Sequence, residues 1–149
     1  MKISVVAHCL LNPTLRVGNG AKFEARDTAF KVNGPVIQLP CPETIYLGLS
    51  RWEVTKNQLD IPMYREFCRN LFKPYADMIQ QLVEKGADIE IIGAAKSPSC
   101  GAELTSMGYP GGKLASYKHE HVCGKGIFFE EIEAELSRRG IHPRFMDFK

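Results

Sequence analysis

Ile89-Glu90-Ile91-Ile92-Gly93-Ala94-Ala95 is the stretch whose reading decides the fold of this 149-residue chain. It is a short apolar run, with Gly86 before it and Lys96-Ser97-Pro98 after it. A run of this kind is the pattern of a parallel strand covered on both faces. Upstream, Phe67, Leu71, Tyr75, Met78, Ile79, Leu82 and Val83 recur mostly at spacings of three and four. That period predicts a helix over Met63 to Lys85, stopped by Gly86. Pro74 sits inside the pattern and is expected to kink the helix or split it in two. Downstream, Lys96 to Gly124 carries Pro98, Gly101, Gly108, Pro110, Gly111 and Gly112 and reads as a long irregular stretch. Stretches of that length without regular structure are usually functional. Ile127 to Arg139 reads as a second amphipathic helix closed by Gly140, and residues 143–148 as a last strand.

The N-terminal part completes the alternation. Ile3 to Ala7 is an apolar run that ends at His8-Cys9, and Val36-Ile37-Gln38-Leu39 is a second one, stopped by Pro40-Cys41-Pro42. Between them lie the turn signals Asn12-Pro13, Gly18-Asn19-Gly20 and Asn33-Gly34, with a short helix expected over Lys22 to Phe30. Residues 44–60 have no clear period and read as a loop with room for one helical turn. Strands alternating with helices imply parallel strands joined by right-handed crossovers. The expected fold is therefore α/β: a Rossmann-like three-layer domain with a short, mostly parallel sheet, formed by residues 1–149 as one unit. In such sheets ligands bind beyond the carboxyl ends of the strands.

Composition narrows the function. Apolar residues make up 44% of the chain and charged residues 24%, with a formal charge of +2. That charge is too small to argue for nucleic acid or an anionic membrane as partner. No apolar run approaches the ~20 residues of a membrane span. The first strand leaves no room for a signal peptide, so a cytoplasmic protein is expected. There, five cysteines are better read as metal ligands or catalytic groups than as disulfides. The expected partner is a small-molecule substrate, and the expected assembly a monomer or homodimer.

Three of the cysteines carry the main inference. Cys9 and Cys41 each lie two residues after a predicted strand, and Cys100 lies five residues after the third. Parallel strands share one carboxyl edge, so the fold should bring these three together. Converging thiolates suit an iron–sulfur cluster or zinc. Three ligands would leave one iron of a cluster free for a substrate. The spacing lacks a tight Cys-x-x-Cys pair, and buried structural thiols remain the alternative. Cys68 lies on the long predicted helix beside Phe67 and Leu71, in the core or on a flank. His119, His121 and Cys123 alternate in a run that could bind zinc or copper. A solvated loop with a helix-entry cysteine is the favoured reading, since a free loop supplies no fourth partner and no fixed geometry. His8 adjoins Cys9 as a donor or a packed histidine.

Other groups surround the predicted edge. Glu43, in Cys41-Pro42-Glu43, could move protons in a pocket, or cap the following turn. Ser97-Pro98-Ser99-Cys100-Gly101 brings hydroxyls and backbone N–H groups to the third cysteine, with turn formation as the plainer role. Gly124-Lys125-Gly126 opens the last helix, where an anion or polar substrate could bind, but ordinary helix entry is the better reading of a short glycine pair.

Ala7-His8-Cys9-Leu10-Leu11-Asn12, Cys41-Pro42-Glu43, Leu47-Gly48-Leu49 and Ser97-Pro98-Ser99-Cys100-Gly101 resemble the motifs of the small-domain family that includes the 2-thiouracil desulfidases. The Gly126 to Ile141 stretch is similar to that family's closing helix. The resemblance implies a 4Fe-4S cluster held by Cys9, Cys41 and Cys100, with Glu43 and Ser97 as catalytic groups. It implies an enzyme, a desulfidase. Sulfur would leave as sulfide from a thiolated pyrimidine or related small thioamide, bound through its sulfur to the open iron. A non-enzymatic sulfur carrier or cluster-based sensor is the alternative. Two stretches depart from the family pattern. Thr14-Leu15-Arg16-Val17-Gly18 lacks a second cysteine, and Leu49-Ser50-Arg51-Trp52-Glu53 replaces a segment rich in proline and arginine. Both are expected to line the substrate pocket.

Overall fold

The computed structural model describes residues 1–16, 30–109 and 120–148. In chain order the elements are β1 (Lys2–Val6), α1 (His8–Leu11), a 3-10 turn (Pro13–Leu15), β2 (Val36–Gln38), α2 (Pro42–Leu47) and α3 (Lys56–Leu59). The long helix α4 (Pro62–Glu84) follows, then β3 (Asp88–Ala94), β4 (Leu104–Met107), β5 (Glu120–Cys123), α5 (Ile127–Arg138) and β6 (Arg144–Phe148). Four strands form one sheet in the order β2-β1-β3-β6, every pair parallel. The chain moves outward from β1 to β2, then crosses back past β1 to β3. The gap between β1 and β3 is thus a topological switch point, the usual place for a ligand in an open α/β sheet.

Register assigns the two faces. Ile3 pairs with Ile89, and Val5 with Ile91, which pairs with Phe145. These side chains share the face toward α5, whose Phe129 ring lies 6.1 Å from that of Phe145. The helix α4 packs on α5 through Phe72 and Phe128, 6.2 Å apart edge to face. On the opposite face Ser4 donates to Glu90 at 2.8 Å, and Lys2 pairs with the same carboxylate at 3.0 Å. Toward the carboxyl edge that face turns apolar, and Phe30 packs edge to face on Phe148 at 5.1 Å. The helix expected over Lys22 to Phe30 lies outside the described residues except for Phe30, so the third layer is not described.

Three expectations need correction. Of the two outcomes expected at Pro74, a kink or a split, the split does not occur: α4 runs unbroken from Pro62 to Glu84. Pro74 and Asn70 are both exposed, so the carbonyl that loses its donor belongs to the solvent side, while Phe72, Ala76 and Ile79 hold both halves in the core. Residues 44–60 are not a loop but carry most of α2 and all of α3. In α3, the Thr55 N–H donates to Gln58 Oε1 at 3.0 Å, half of a capping box. The stretch 96–124 is not structureless either, because β4 and β5 pair antiparallel.

Asp147 ties this β4–β5 ribbon to the sheet. Its buried carboxylate, at the carboxyl end of β6, accepts from the N–H groups of Ala102 at 2.6 Å, Glu103 at 2.9 Å and Leu104 at 3.0 Å. Asp147→Ala strands three donors, each costing about 1–3 kcal/mol where water cannot replace the acceptor. A loss of several kcal/mol is therefore expected in urea unfolding, well beyond a surface substitution.

Candidate functional site

The third cysteine sits in a turn held largely by backbone hydrogen bonds. Residues 97–101 follow β3. Ala94 N–H donates to Cys100 O at 2.9 Å, and Gly101 N–H donates to Ser97 O at 3.1 Å. The first turn of α5 closes over it: Ile127 N–H donates to Pro98 O at 2.8 Å and Phe129 N–H to Ser99 O at 3.1 Å. These bonds use helix-terminal donors that have no partner within the helix. Two glycines permit the approach. A Cβ at Gly126 would lie 2.6 Å from Ser99 O, and one at Gly93 would lie 2.8 Å from the Phe129 ring. Cys100 is thereby held buried at the edge of the sheet.

Cys41 is the N-cap of α2. Its sulfur accepts from Thr44 N–H at 3.5 Å and from Thr44 Oγ1–H at 3.1 Å. Cys9 lies in the first turn of α1, directly after β1, and its carbonyl accepts from Arg16 Nε at 3.3 Å. All three thiols line one cavity of about 930 Å³ at the carboxyl edge of the sheet. His8, Arg16, Glu43, Arg51, Lys96 and Ser97 line it too.

Burial dominates the electrostatics. It pushes the Cys9 thiol up to about 11, against the opposing pull of Arg16. Burial also raises Cys100 well above the usual thiol range, and the neighbouring Cys41 and Cys9 add to it. Glu43 is only 7% exposed. Burial raises its carboxyl, and Arg51 and a hydrogen bond from Ser99 partly offset this. Ser99 lies 2.7 Å from the Tyr64 hydroxyl, deep in the core. With Glu43 ionised, Ser99 donates to the carboxylate and Tyr64 donates to Ser99. His8 is lowered by burial.

Among the described residues, no group of three or more His, Cys, Asp or Glu side chains stands ready to hold a metal ion. The donor chemistry still fits a thiolate-ligated cluster. Three soft sulfur donors from three separate segments line one cavity and sense one another's charge. Burial makes the thiolate costly at Cys9 and Cys100, and a bound cationic centre would supply the compensation.

Other predicted residues fall differently. Ser97 lines the cavity, but its Oγ accepts from the N–H of Cys100 at 3.0 Å and of Ser99 at 3.3 Å, so the hydroxyl builds the turn. Cys68 is fully buried in the core, where burial pushes its thiol up to about 12. His121 and Cys123 stand on β5, not on a free loop. His121 lines the cavity and Cys123 is exposed, while His119 lies outside the described residues. The α5 N-terminus is the ordinary helix entry that the short glycine pair favours, with the N–H groups of Ile127 and Phe129 taken by the carbonyls of Pro98 and Ser99. The two divergent stretches do line the cavity, through Leu15 and Arg16 and through Arg51 and Glu53.

Sequence reasoning missed four groups. Arg51 had a signal only as part of a divergent stretch. Ser99 was grouped with the turn, although its hydroxyl reaches Glu43. Lys96 adopts φ 71°, the one non-glycine residue with positive φ among those described, and nothing in its type announces that. His121 gave no sign of facing this cavity.

Fold and site together define an α/β protein with a three-thiol cavity at the carboxyl edge of a parallel sheet. No family model and no solved structure matches the chain. The "Uncharacterized protein MJ0003" of Methanocaldococcus jannaschii is 36% identical over 104 residues, which span 66% of this chain and 67% of that protein. The chain belongs to the family of that archaeal protein. Among the described residues, no helix is long and apolar enough to cross a membrane.

Proposed function

We propose that this protein is an iron–sulfur-dependent desulfidase of the cytoplasm, with a 4Fe-4S cluster held by Cys9, Cys41 and Cys100. The observation that supports it most is that these three thiols, from the ends of three different strands, line a single cavity. When bound, the cluster supplies a Lewis-acidic iron without a protein ligand, able to take the sulfur of a thiolated pyrimidine or related small thioamide. The reaction class is hydrolytic. Water's oxygen replaces the sulfur on carbon, the sulfur leaves as sulfide with water's protons, and no electrons are gained or lost.

The chain's own residues then do the following. Glu43 holds or accepts the proton, because burial keeps its carboxyl closer to neutral pH than an exposed one. Ser99 orients that carboxyl from the core side. Ser97 shapes the turn that presents Cys100. Arg16 and Lys96 line the cavity on its exposed side.

Anaerobically purified protein is expected to be brown and to carry about four irons and matching acid-labile sulfide per chain. It should release sulfide from 2-thiouracil or 4-thiouracil over many turnovers. Colourless protein with a single zinc would overturn the cluster. Full iron content with at most one sulfide released per chain would point to a sulfur carrier or sensor.

A further inference from the structure

Arg51 is buried without being apolar, and every nitrogen of its guanidinium has a defined surrounding. Its side chain is 6% exposed. Nη2 donates to Leu15 O at 2.8 Å, reaching the turn that follows the Cys9 helix. Nη1 donates to Gly48 O at 3.1 Å and to Thr44 Oγ1 at 3.2 Å. Nε has no hydrogen-bond partner and lies 3.7 Å from Glu43 Oε1. A buried cation is tolerated only where other groups compensate it, and here most of them belong to the segments that carry Cys9, Cys41 and Glu43.

The contact with Thr44 has a directional consequence. A hydroxyl owns one hydrogen, and a guanidinium can only donate. Thr44 Oγ1 must therefore accept from Arg51, which leaves its own hydrogen to point elsewhere. The acceptor in reach is Cys41 Sγ, 3.1 Å away. Arg51 thus fixes the direction of the hydroxyl, and the hydroxyl fixes the sulfur. We infer that Arg51 is a positioning residue for the Cys41 ligand, acting through Thr44. The inference rests on the three-thiol cluster reading. Donors to a ligating sulfur orient it and tune the centre, and removing such partners typically weakens metal binding about ten- to a hundred-fold.

The test is iron release from anaerobic holoprotein to an excess of chelator, followed by loss of visible absorption. Thr44→Val keeps the shape and loses the hydroxyl, Thr44→Ser keeps the hydroxyl, and Arg51→Gln removes the cation and its fork. Thr44→Val and Arg51→Gln should each lose iron about ten- to a hundred-fold faster than wild type. Thr44→Ser should lose it at the wild-type rate. The double variant, Thr44→Val with Arg51→Gln, should be no faster than the faster single variant, because both break one chain of contacts. If Arg51→Gln fails to fold, Arg51→Lys, which keeps the charge but loses the fork, takes its place. Wild-type release from the arginine variant that folds would overturn the inference. Wild-type release from Thr44→Val, equal acceleration by Ser and Val, or multiplied effects in the double variant would overturn the inference while leaving the cluster intact. Wild-type protein without iron would overturn the cluster reading, and this inference with it.

Discussion

Cys9→Ser, Cys41→Ser and Cys100→Ser should each bring iron from about four atoms per chain to none that survives gel filtration. A cluster held by three thiolates has no spare protein ligand, and a serine oxygen is a poor substitute for a soft sulfur. The three positions differ in support, since Cys100 sits in a turn clasped by α5 and Cys41 caps α2. Loss of the ligand should nevertheless dominate at all three. Two controls bracket the result. Cys68→Ala should keep its iron and lose up to a few kcal/mol of stability, because its fully buried side chain leaves a small cavity. Cys123→Ser should change neither, because that thiol is exposed at the end of β5. Iron and unfolding midpoint measured on the five variants decide the matter. A Cys123→Ser protein without iron, beside a Cys9→Ser protein with full iron, would move the metal site to the β5 strand.

The parts of the fold legible in the sequence are those set by long apolar patterns. Ile89 to Ala94 reads as a buried strand because it is one, and the period from Phe67 to Val83 survives even an internal proline. Short elements were lost because their signals are not apolar. The helix α2 has six residues and is capped by a cysteine sulfur, which belongs to no standard set of cap residues. The strand β4 reads Leu104-Thr105-Ser106-Met107, with its polar residues buried and its ends half-buried, the reverse of a core strand. Its hydroxyls are instead satisfied by the turn before it: Thr105 donates to Ser97 O at 3.0 Å and Ser106 to Lys96 O. That pairing is tertiary and leaves no mark on a linear pattern.

The candidate site divides the same way. Cys9, Cys41 and Cys100 could be placed together because strand direction alone sends them to one edge. What surrounds them depends on side-chain reach. Arg51 spans from α2 to the turn after α1, and Tyr64 on α4 meets Ser99, 35 positions later in the chain. Ser97 and Ser99 are two residues apart, and only the geometry of the turn decides which hydroxyl faces the backbone and which faces Glu43.

Glu43→Gln should keep full iron and lose turnover, roughly a hundred- to ten-thousand-fold in sulfide release, the range of general acid–base catalysis. The amide keeps the shape and can still meet Ser99 and Arg51, but it cannot carry a proton. Misfolding is not expected to confuse the result. Burial raises the folded-state pKa of Glu43 above its ordinary value. A carboxyl raised on folding favours the fold while protonated, and that advantage is lost as pH rises through the folded value. Once ionised, the group is therefore a burden that glutamine lacks, and the variant should unfold no earlier than wild type. Iron, thermal midpoint and sulfide release measured on one preparation separate the possibilities. Glu43→Gln turning over at the wild-type rate would remove Glu43 from the chemistry. Loss of iron together with activity would instead make Glu43 a partner of the Cys41 segment, holding the ligand rather than the proton.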